Sequence, residues 1–484
     1  MAAKTLQNYV NGQWSDSKSG QRRSCFNPAS RHMEICTMPA STPAEVEQTV
    51  EAAQAAYPAW ARTPAPQRAE ILRALWEVIK GRVEEFARAI TLENGKPLRE
   101  SRSEVHAALK ELDFQLGQGR RLGGLHLCSE MPGVSCQLRR EPLGVVSLIT
   151  PWNFPLNVAC RKLAPALVAG NCCLLKPADL TPISAELLFE ALHEAKLPAG
   201  VANLVLGRGS VIGDTLVMHP AVKAVSFTGS TEVGVGIATR LAGRATKVQL
   251  EMGGKNPLVV LADADLELAA EAAVVGGYSC AGQWCTSTSR VIVESAAYEE
   301  FLQILVAKTE SLKVGNGLDE SVSIGPVCGA QQYETILKYI AIGKQEGARL
   351  CVGGKALTEG ALSAGYFIAP TVFADVKPGM RIAQEEIFGP VLSVLRAQDF
   401  EEALRVANGI AYGLASSIYT RDLASAQRFI SESEVGLCHV NMHTAYKEPQ
   451  LEFGGVKESG RGAPEAGESG AEFFTRHKAV YVKE

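Results

Sequence analysis

From Leu143 onward the chain alternates short apolar runs, closed by Gly or Pro, with longer stretches whose apolar residues recur three and four apart. The short runs read as strands and the longer stretches as helices. Val145–Ile149, Cys172–Leu175, Ala202–Leu206 and Ala224–Phe227 form one series of strands. A second series follows Gly253, with Pro257–Leu261, Ser289–Glu294, Val391–Leu395 and Ser416–Tyr419, and with helices over Tyr298–Leu312 and Glu401–Asn408 between them. Strands that alternate with helices are joined by crossovers, which run them parallel and cover both sheet faces. The expected fold is α/β, with two doubly wound parallel-sheet lobes.

Ahead of this alternation, Thr42 to Lys110 is rich in Ala, Glu, Arg and Leu, with Val46, Val50, Ala53 and Ala56 spaced for one helix face. Between Arg120 and Arg140 the apolar residues Val134, Cys136 and Leu138 alternate with Ser135, Gln137 and Arg139, which reads as an extended excursion. Phe473 to Val482 alternates in the same way and is expected to pair with another strand, a second subunit being one source.

Charge narrows the partners. Lys and Arg number 48 against 52 Asp and Glu, a net charge of -4 with no basic block, so no nucleic acid is expected. Every apolar stretch is broken well before the roughly 18 residues that span a bilayer, so no membrane is expected either. Met1 to Trp14 has no apolar centre and reads as lacking a secretory leader. The 12 cysteines form no C-x-x-C pair, which suits reduced thiols and a cytoplasmic location. Small molecules remain the best partners.

Cys285 sits in Gly282-Gln283-Trp284-Cys285-Thr286, on a loop between a helix over Ala269–Tyr278 and the strand that follows, where a thiol can meet a substrate. A structural thiol is the alternative. Glu251 ends a strand over Lys247–Leu250, just before Met252-Gly253-Gly254 turns the chain, which suits a general base as well as a solvated carboxylate. Asn153 lies in Thr150-Pro151-Trp152-Asn153-Phe154-Pro155; two prolines stiffen this loop, so the amide could donate to an oxyanion or merely cap the turn. Lys176 and Asp179 follow a strand end and could grip ribose hydroxyls. Phe227-Thr228-Gly229-Ser230 joins a strand to a helix opening at Thr231, a geometry that presents free N–H groups to a pyrophosphate. Gly207, Gly209 and Gly213 approach a glycine-rich fingerprint without matching it.

Five segments in this order resemble the aldehyde dehydrogenase superfamily: Pro151-Trp152-Asn153-Phe154-Pro155, Phe227-Thr228-Gly229-Ser230, Leu250-Glu251-Met252-Gly253-Gly254-Lys255, Gly282-Gln283-Trp284-Cys285 and Glu386-Ile387-Phe388-Gly389-Pro390. The resemblance runs from Asn27-Pro28-Ala29 almost to the C-terminus. It implies a dinucleotide-binding domain over 1–119 and 143–252, a catalytic domain over 253–453, and a small β oligomerisation element with a C-terminal tail from 120–142 and 454–484. A homodimer or homotetramer is then expected.

The resemblance further implies oxidation of an aldehyde to a carboxylic acid. Cys285 would attack the aldehyde, Asn153 would hold the oxyanion, and Glu251 would activate the water that cleaves the thioester. Lys176 and Asp179 match positions that hold the adenosine ribose, and Glu386 and Phe388 match those around the nicotinamide ribose. Ile149, Thr150, Trp152, Gly209, Gly213, Phe227, Gly229, Ser230 and Met252 complete the cofactor positions. A carboxylate at Asp179 favours NAD, with NADP also open. Arg161 matches the carboxylate-gripping arginine of semialdehyde-oxidising relatives, although aromatic-aldehyde relatives often carry it too; a second arginine of the succinic semialdehyde branch is Ser279 here. The run Cys285-Thr286-Ser287-Thr288-Ser289-Arg290 is similar to the 2-oxoglutarate semialdehyde group. Phe154, Trp284, Thr286, His443 and Tyr446 are the remaining candidates for contact with substrate.

Two other readings stand beside this one. A cysteine hydrolase would pair Cys285 with His439 or His443, but no histidine neighbours Cys285 in sequence and the cofactor-like loops would go unexplained. A non-catalytic binding scaffold would not need all three chemical positions. Asp263-Ala264-Asp265 reads as a helix cap, and no metal site is expected.

Overall fold

The computed structural model describes residues 3–484. The first lobe is an eight-stranded sheet in the order Gly460–Gly462, Lys247–Glu251, Val222–Thr228, Val145–Ile149, Cys172–Lys176, Ala202–Leu204, Asn8–Val10, Gln13–Ser15. Its five central neighbours, Lys247–Glu251 through Ala202–Leu204, pair in parallel, and the outer strands join antiparallel. Val145, Val146, Leu148, Leu174 and Leu175 are buried because helices cover both faces, which is why these strands are continuously apolar. Two edges were not expected from the sequence. The N-terminal strands flank the two-residue turn Asn11-Gly12, with positive φ at both residues, whereas Gly460–Gly462 is β only through its partner Lys247–Glu251.

The second lobe holds seven strands in the order Arg349–Val352, Thr371–Ala374, Val391–Ala397, Thr288–Glu294, Asn256–Val260, Ala415–Tyr419, Leu437–Val440, all parallel except the first. The helical region is four helices, Pro43–Arg62, Ala65–Gly81, Val83–Asn94 and Leu98–Arg121. Its breaks fall at Pro64, at Arg82 and at Gly95 with Pro97, where backbone chemistry overrides the apolar periodicity. Thr42 and Glu45 form a capping box at its start. A separate small sheet of Lys4–Thr5, Ser30–Pro39 and Arg22–Asn27 was also not expected.

The excursion folds as Leu125–Cys128 and Val134–Pro142, and Thr475–Lys483 pairs with the latter along its whole length, from Thr475 opposite Pro142 to Lys483 opposite Val134. The C-terminal strand therefore finds its partner in its own chain. Leu125, Leu127, Tyr481 and Val482 stay exposed on this three-stranded sheet. The stretch 454–484 is spread over this sheet, the edge of the first lobe, two short strand pairs with Tyr412–Gly413 and Glu452–Phe453, and a helix over Gly467–Phe473.

Strand register brings the site together. Ile149 lies opposite both Lys176 and Phe227, and Thr228 lies opposite Glu251, so four motif residues end neighbouring parallel strands at one edge. The chain then crosses from Glu251 through Met252–Lys255 directly into Asn256–Val260 of the second lobe. A cleft therefore opens where the carboxyl edge of the first sheet meets the amino edge of the second, the position at which open α/β sheets bind ligands.

Candidate active site

The cleft encloses about 720 Å³. Its walls include Trp152, Asn153, Phe154 and Arg161 from the first lobe, and Trp284 and Cys285 from the second. Gly229, Ser230, Met252, Glu386, Phe388, His443 and Tyr446 also line it. Glu251, Ile149, Thr150, Lys176, Asp179, Gly209, Gly213, Phe227 and Thr286 do not line the cleft.

The loop that carries Asn153 is held from beneath by a buried ion pair. Lys96 Nζ donates to Glu104 at 2.7 Å and to the Asn153 carbonyl at 2.6 Å, with neither side chain of the pair exposed. It also stacks over the Phe154 ring at 3.9 Å. Glu104 in turn accepts from the N–H groups of Leu156 and Asn157, which open the helix Asn157–Val168. The Asn153 side-chain amide donates to the Gln283 carbonyl at 3.0 Å, two residues before Cys285, which ties the two lobes together at the thiol.

The cysteine loop is strained. Cys280, Ala281 and Gly282 take φ of 53°, 54° and 69°, a left-handed run that costs the two non-glycine residues about 1–3 kcal/mol each. Glu100 accepts from the Cys280 N–H at 2.9 Å, and the Gln283 side chain bonds the Cys280 carbonyl and the Cys328 N–H. At Gly282 a methyl group would collide with the Gly389 carbonyl, so glycine is required there. Burial pushes the Cys285 thiol up to about 12, while Arg161 pulls it back and Glu386 and Glu251 raise it further. The Thr286 N–H bonds the sulfur, although the Thr286 side chain is buried behind it.

Glu251 is buried and its Oε2 has no hydrogen-bond partner. Burial and the nearby Glu465 carboxylate drive it well above the usual carboxylate range, against the pull of Lys162 and Arg161. Sequence patterns did not point to this supporting cluster. Lys162 bonds Glu465 and the Ser226 hydroxyl, and Thr228 donates to Glu465 at 3.1 Å. Lys162 follows Arg161 on one helix, but Glu465 lies some 300 residues away, with no spacing to reveal it.

Arg161 is held by its Nε at 3.2 Å from Glu111, with Nη1 3.6 Å from Glu465 and the guanidinium 4.5 Å over Phe453. The two histidines play different parts. His439 is fixed to the carbonyls of Ser416 and Tyr446, whereas His443 lines the cleft and accepts from the Ala445 N–H. The fold thus brings a histidine to the cleft that sequence distance did not suggest, but neither histidine bonds Cys285. Asp265 caps the helix Leu266–Tyr278 at 3.2 Å, and no metal-ligand cluster occurs among the described residues.

The remaining cofactor positions cluster at the strand ends. Lys176 Nζ bonds the Pro177 carbonyl and its Cε lies 3.8 Å from where a Cβ on Gly209 would sit. Asp179 pairs with Arg23 at 3.6 Å. Ser230 caps the helix Thr231–Leu241 with its free N–H groups beyond it. Glu386 accepts from the Gly254 N–H at 2.9 Å, and a methyl on Gly253 would run into its carboxylate. Phe388 has φ of 55° and meets Trp152 edge-on at 5.4 Å.

These features define a thiol-dependent enzyme of the two-lobed dinucleotide class. The profile of the aldehyde dehydrogenase family matches residues 14–480, and the chain belongs to that family, whose members oxidise aldehydes. It is 42% identical to the alpha-ketoglutaric semialdehyde dehydrogenase of Bacillus subtilis, over 99% of this chain and 98% of that one. It is 44% identical to the 2,5-dioxopentanoate dehydrogenase of Saccharolobus solfataricus, over 96% of each. Among solved structures, the betaine aldehyde dehydrogenase of Staphylococcus aureus, in complex with NAD+, superposes with a TM-score of 0.96 at 36% identity, over 99% of this chain and 94% of that one.

Proposed function

We propose that this enzyme oxidises an acid-bearing aldehyde of the 2-oxoglutarate semialdehyde kind to the free acid with NAD. The observation that carries the reading is the meeting of Cys285, Asn153 and Arg161 in one cleft beside the strand-end Glu251.

The residues present fit a dinucleotide. The open N-terminus of Thr231–Leu241, the buried and unpartnered Thr150 hydroxyl, and the bare backbone at Gly253 next to Glu386 offer donors and close approach along one edge. Lys176 and Asp179 would hold the adenosine ribose, and Glu386 the nicotinamide ribose. A nicotinamide bound there would supply the hydride acceptor. Arg23 partly offsets the Asp179 charge, so the preference for NAD over NADP is modest.

Attack by the Cys285 sulfur on the carbonyl carbon makes a C–S bond and a thiohemiacetal. A thiol held near 12 is protonated at rest, so it must pass its proton to water in the cleft before attack, and Arg161 is the cation that favours the resulting anion. The Asn153 amide and the Cys285 N–H stabilise the developing oxyanion, and loss of hydride from carbon leaves the thioester. Glu251 is protonated at rest because burial and Glu465 disfavour its charge, so it must first release that proton to solvent. Its carboxylate then takes a proton from water as the free Oε2 turns toward the cleft; the water adds to the thioester, the C–S bond breaks, and the proton passes to the leaving sulfur as the acid departs.

The bare edge and exposed apolar residues of the three-stranded sheet support assembly into a homodimer or homotetramer, and the free cysteines suit the cytoplasm. No described helix is long and apolar enough to cross a membrane. The test follows reduced-cofactor absorbance with 2,5-dioxopentanoate, 4-oxobutanoate, betaine aldehyde and benzaldehyde. The acid-bearing pair should turn over best and Cys285→Ala should abolish turnover; equal use of all four would remove the substrate assignment.

A further inference from the structure

Three elements distant in sequence converge on the cleft wall. The helix Leu98–Arg121 brings Glu111, the helix Asn157–Val168 brings Arg161, and the loop after Leu437–Val440 brings Lys447. Lys447 Nζ lies 2.5 Å from Glu111 Oε1, the same oxygen that takes Arg161 Nε at 3.2 Å. One buried carboxylate oxygen is thus shared by two cations, while Oε2 of Glu111 has no partner. Glu465 beyond it divides its two oxygens, Oε1 taking Lys162 and Oε2 lying 3.6 Å from Arg161 Nη1.

The cluster holds three cations, Arg161, Lys162 and Lys447, against the two carboxylates Glu111 and Glu465. The remaining acid, Glu251, is driven toward its neutral form by burial. Arg161 and Lys447 thus divide one Glu111 oxygen between them at the wall of the cleft, an arrangement that leaves both cations able to take a further anion. An ammonium has three donors, and Lys447 spends one on Glu111; the terminal guanidinium nitrogens of Arg161 make no hydrogen bond within the described residues. Free donors on both cations therefore border the same cleft.

We propose that Lys447 is a specificity-determining residue whose ammonium, together with Arg161, binds the carboxylate at the far end of the aldehyde substrate. The assignment rests on the acid-bearing reading above. Glu111 acts as a positioning residue, holding both donors side by side without neutralising both. Burial and Arg161 pull Lys447 down to about 8, in keeping with a cation short of counter-charge. Lys110, exposed at the mouth, adds long-range attraction for an anion but no grip.

The test compares kcat/KM for 2,5-dioxopentanoate with that for pentanal, its neutral chain-length match, in each of wild type, Lys447→Gln and Lys447→Arg. The ratio of the two substrates within one preparation is independent of how much of it is folded. Lys447→Gln should lower the ratio by about 10- to 100-fold, mostly through KM, as expected for loss of a charge-assisted hydrogen bond. Lys447→Arg should restore most of it. A ratio unmoved by Lys447→Gln, in an enzyme whose ratio still falls in Arg161→Met, would overturn the role of Lys447 alone. A wild type that does not distinguish the two aldehydes would overturn the acid-bearing reading as well.

Discussion

The two ends of the cleft are built from different materials. The dinucleotide end is made of backbone: strand termini in register at Ile149, Lys176 and Glu251, a helix N-terminus behind Ser230, and a glycine pressed against Glu386. The end proposed for the substrate is made of long side chains, Glu111 and Arg161 from two helices, Lys447 from a loop and Glu465 from a short strand. Backbone geometry tolerates little change and serves one kind of ligand. Side chains on converging elements can be exchanged without disturbing the sheets, which is why the proposed reading puts specificity for the aldehyde at that end.

Between the two ends lies the chemistry, where the largest effect is expected. Glu251→Gln should slow thioester hydrolysis by about 10²–10⁴-fold, the usual contribution of a general base, while still admitting dinucleotide. Mass spectrometry should then find an acyl group on Cys285; steady turnover at the wild-type rate would take the deacylation role away from Glu251 and leave the two ends without a shared centre.

A smaller effect concerns the resting thiol. Burial disfavours the anion and raises the Cys285 pKa to about 12, so the thiolate fraction is low at neutral pH and rises about tenfold per unit below that value. Alkylation of Cys285 by iodoacetamide, followed by peptide mass spectrometry from pH 7 to 10, should climb with that slope and stay below the rate of the exposed Cys128. A plateau near pH 7 would mean that the surrounding charges, Arg161 above all, outweigh burial.

The smallest effect belongs to the far dinucleotide end. Asp179→Ala should raise kcat/KM with NADP by several-fold and lower it with NAD, since one carboxylate is lost and Arg23 is freed. Unchanged selectivity would show that Asp179 serves Arg23 alone, and that the backbone sets the choice of cofactor.

Much of the dinucleotide end could be read from the chain because short-range rules govern it. Val145–Ile149 is apolar throughout, Pro151 and Pro155 stiffen the loop after it, and Ser230 stands where a helix opens. The N-terminal hairpin was legible in Asn11-Gly12 between Tyr9-Val10 and Trp14 but went unread, whereas Gly460–Gly462 carries no apolar pattern and becomes a strand only by completing a sheet edge. At the substrate end Arg161 was visible only through resemblance, and Lys447 and Glu465 showed nothing that set them apart from surface charges.

The amino-acid order by itself determined the two alternating series of strands and helices, the turns at Gly253 and Gly282, and the order of the Asn153, Glu251 and Cys285 loops. Those depend on the periodicity and stereochemistry of neighbouring residues. Only the tertiary structure decided that Thr475–Lys483 pairs within its own chain, that Lys96 locks the Asn153 loop, and that Glu111 is shared by Arg161 and Lys447. Such pairings join residues tens to hundreds of positions apart, and what each charge is worth is fixed by the burial that the completed fold imposes.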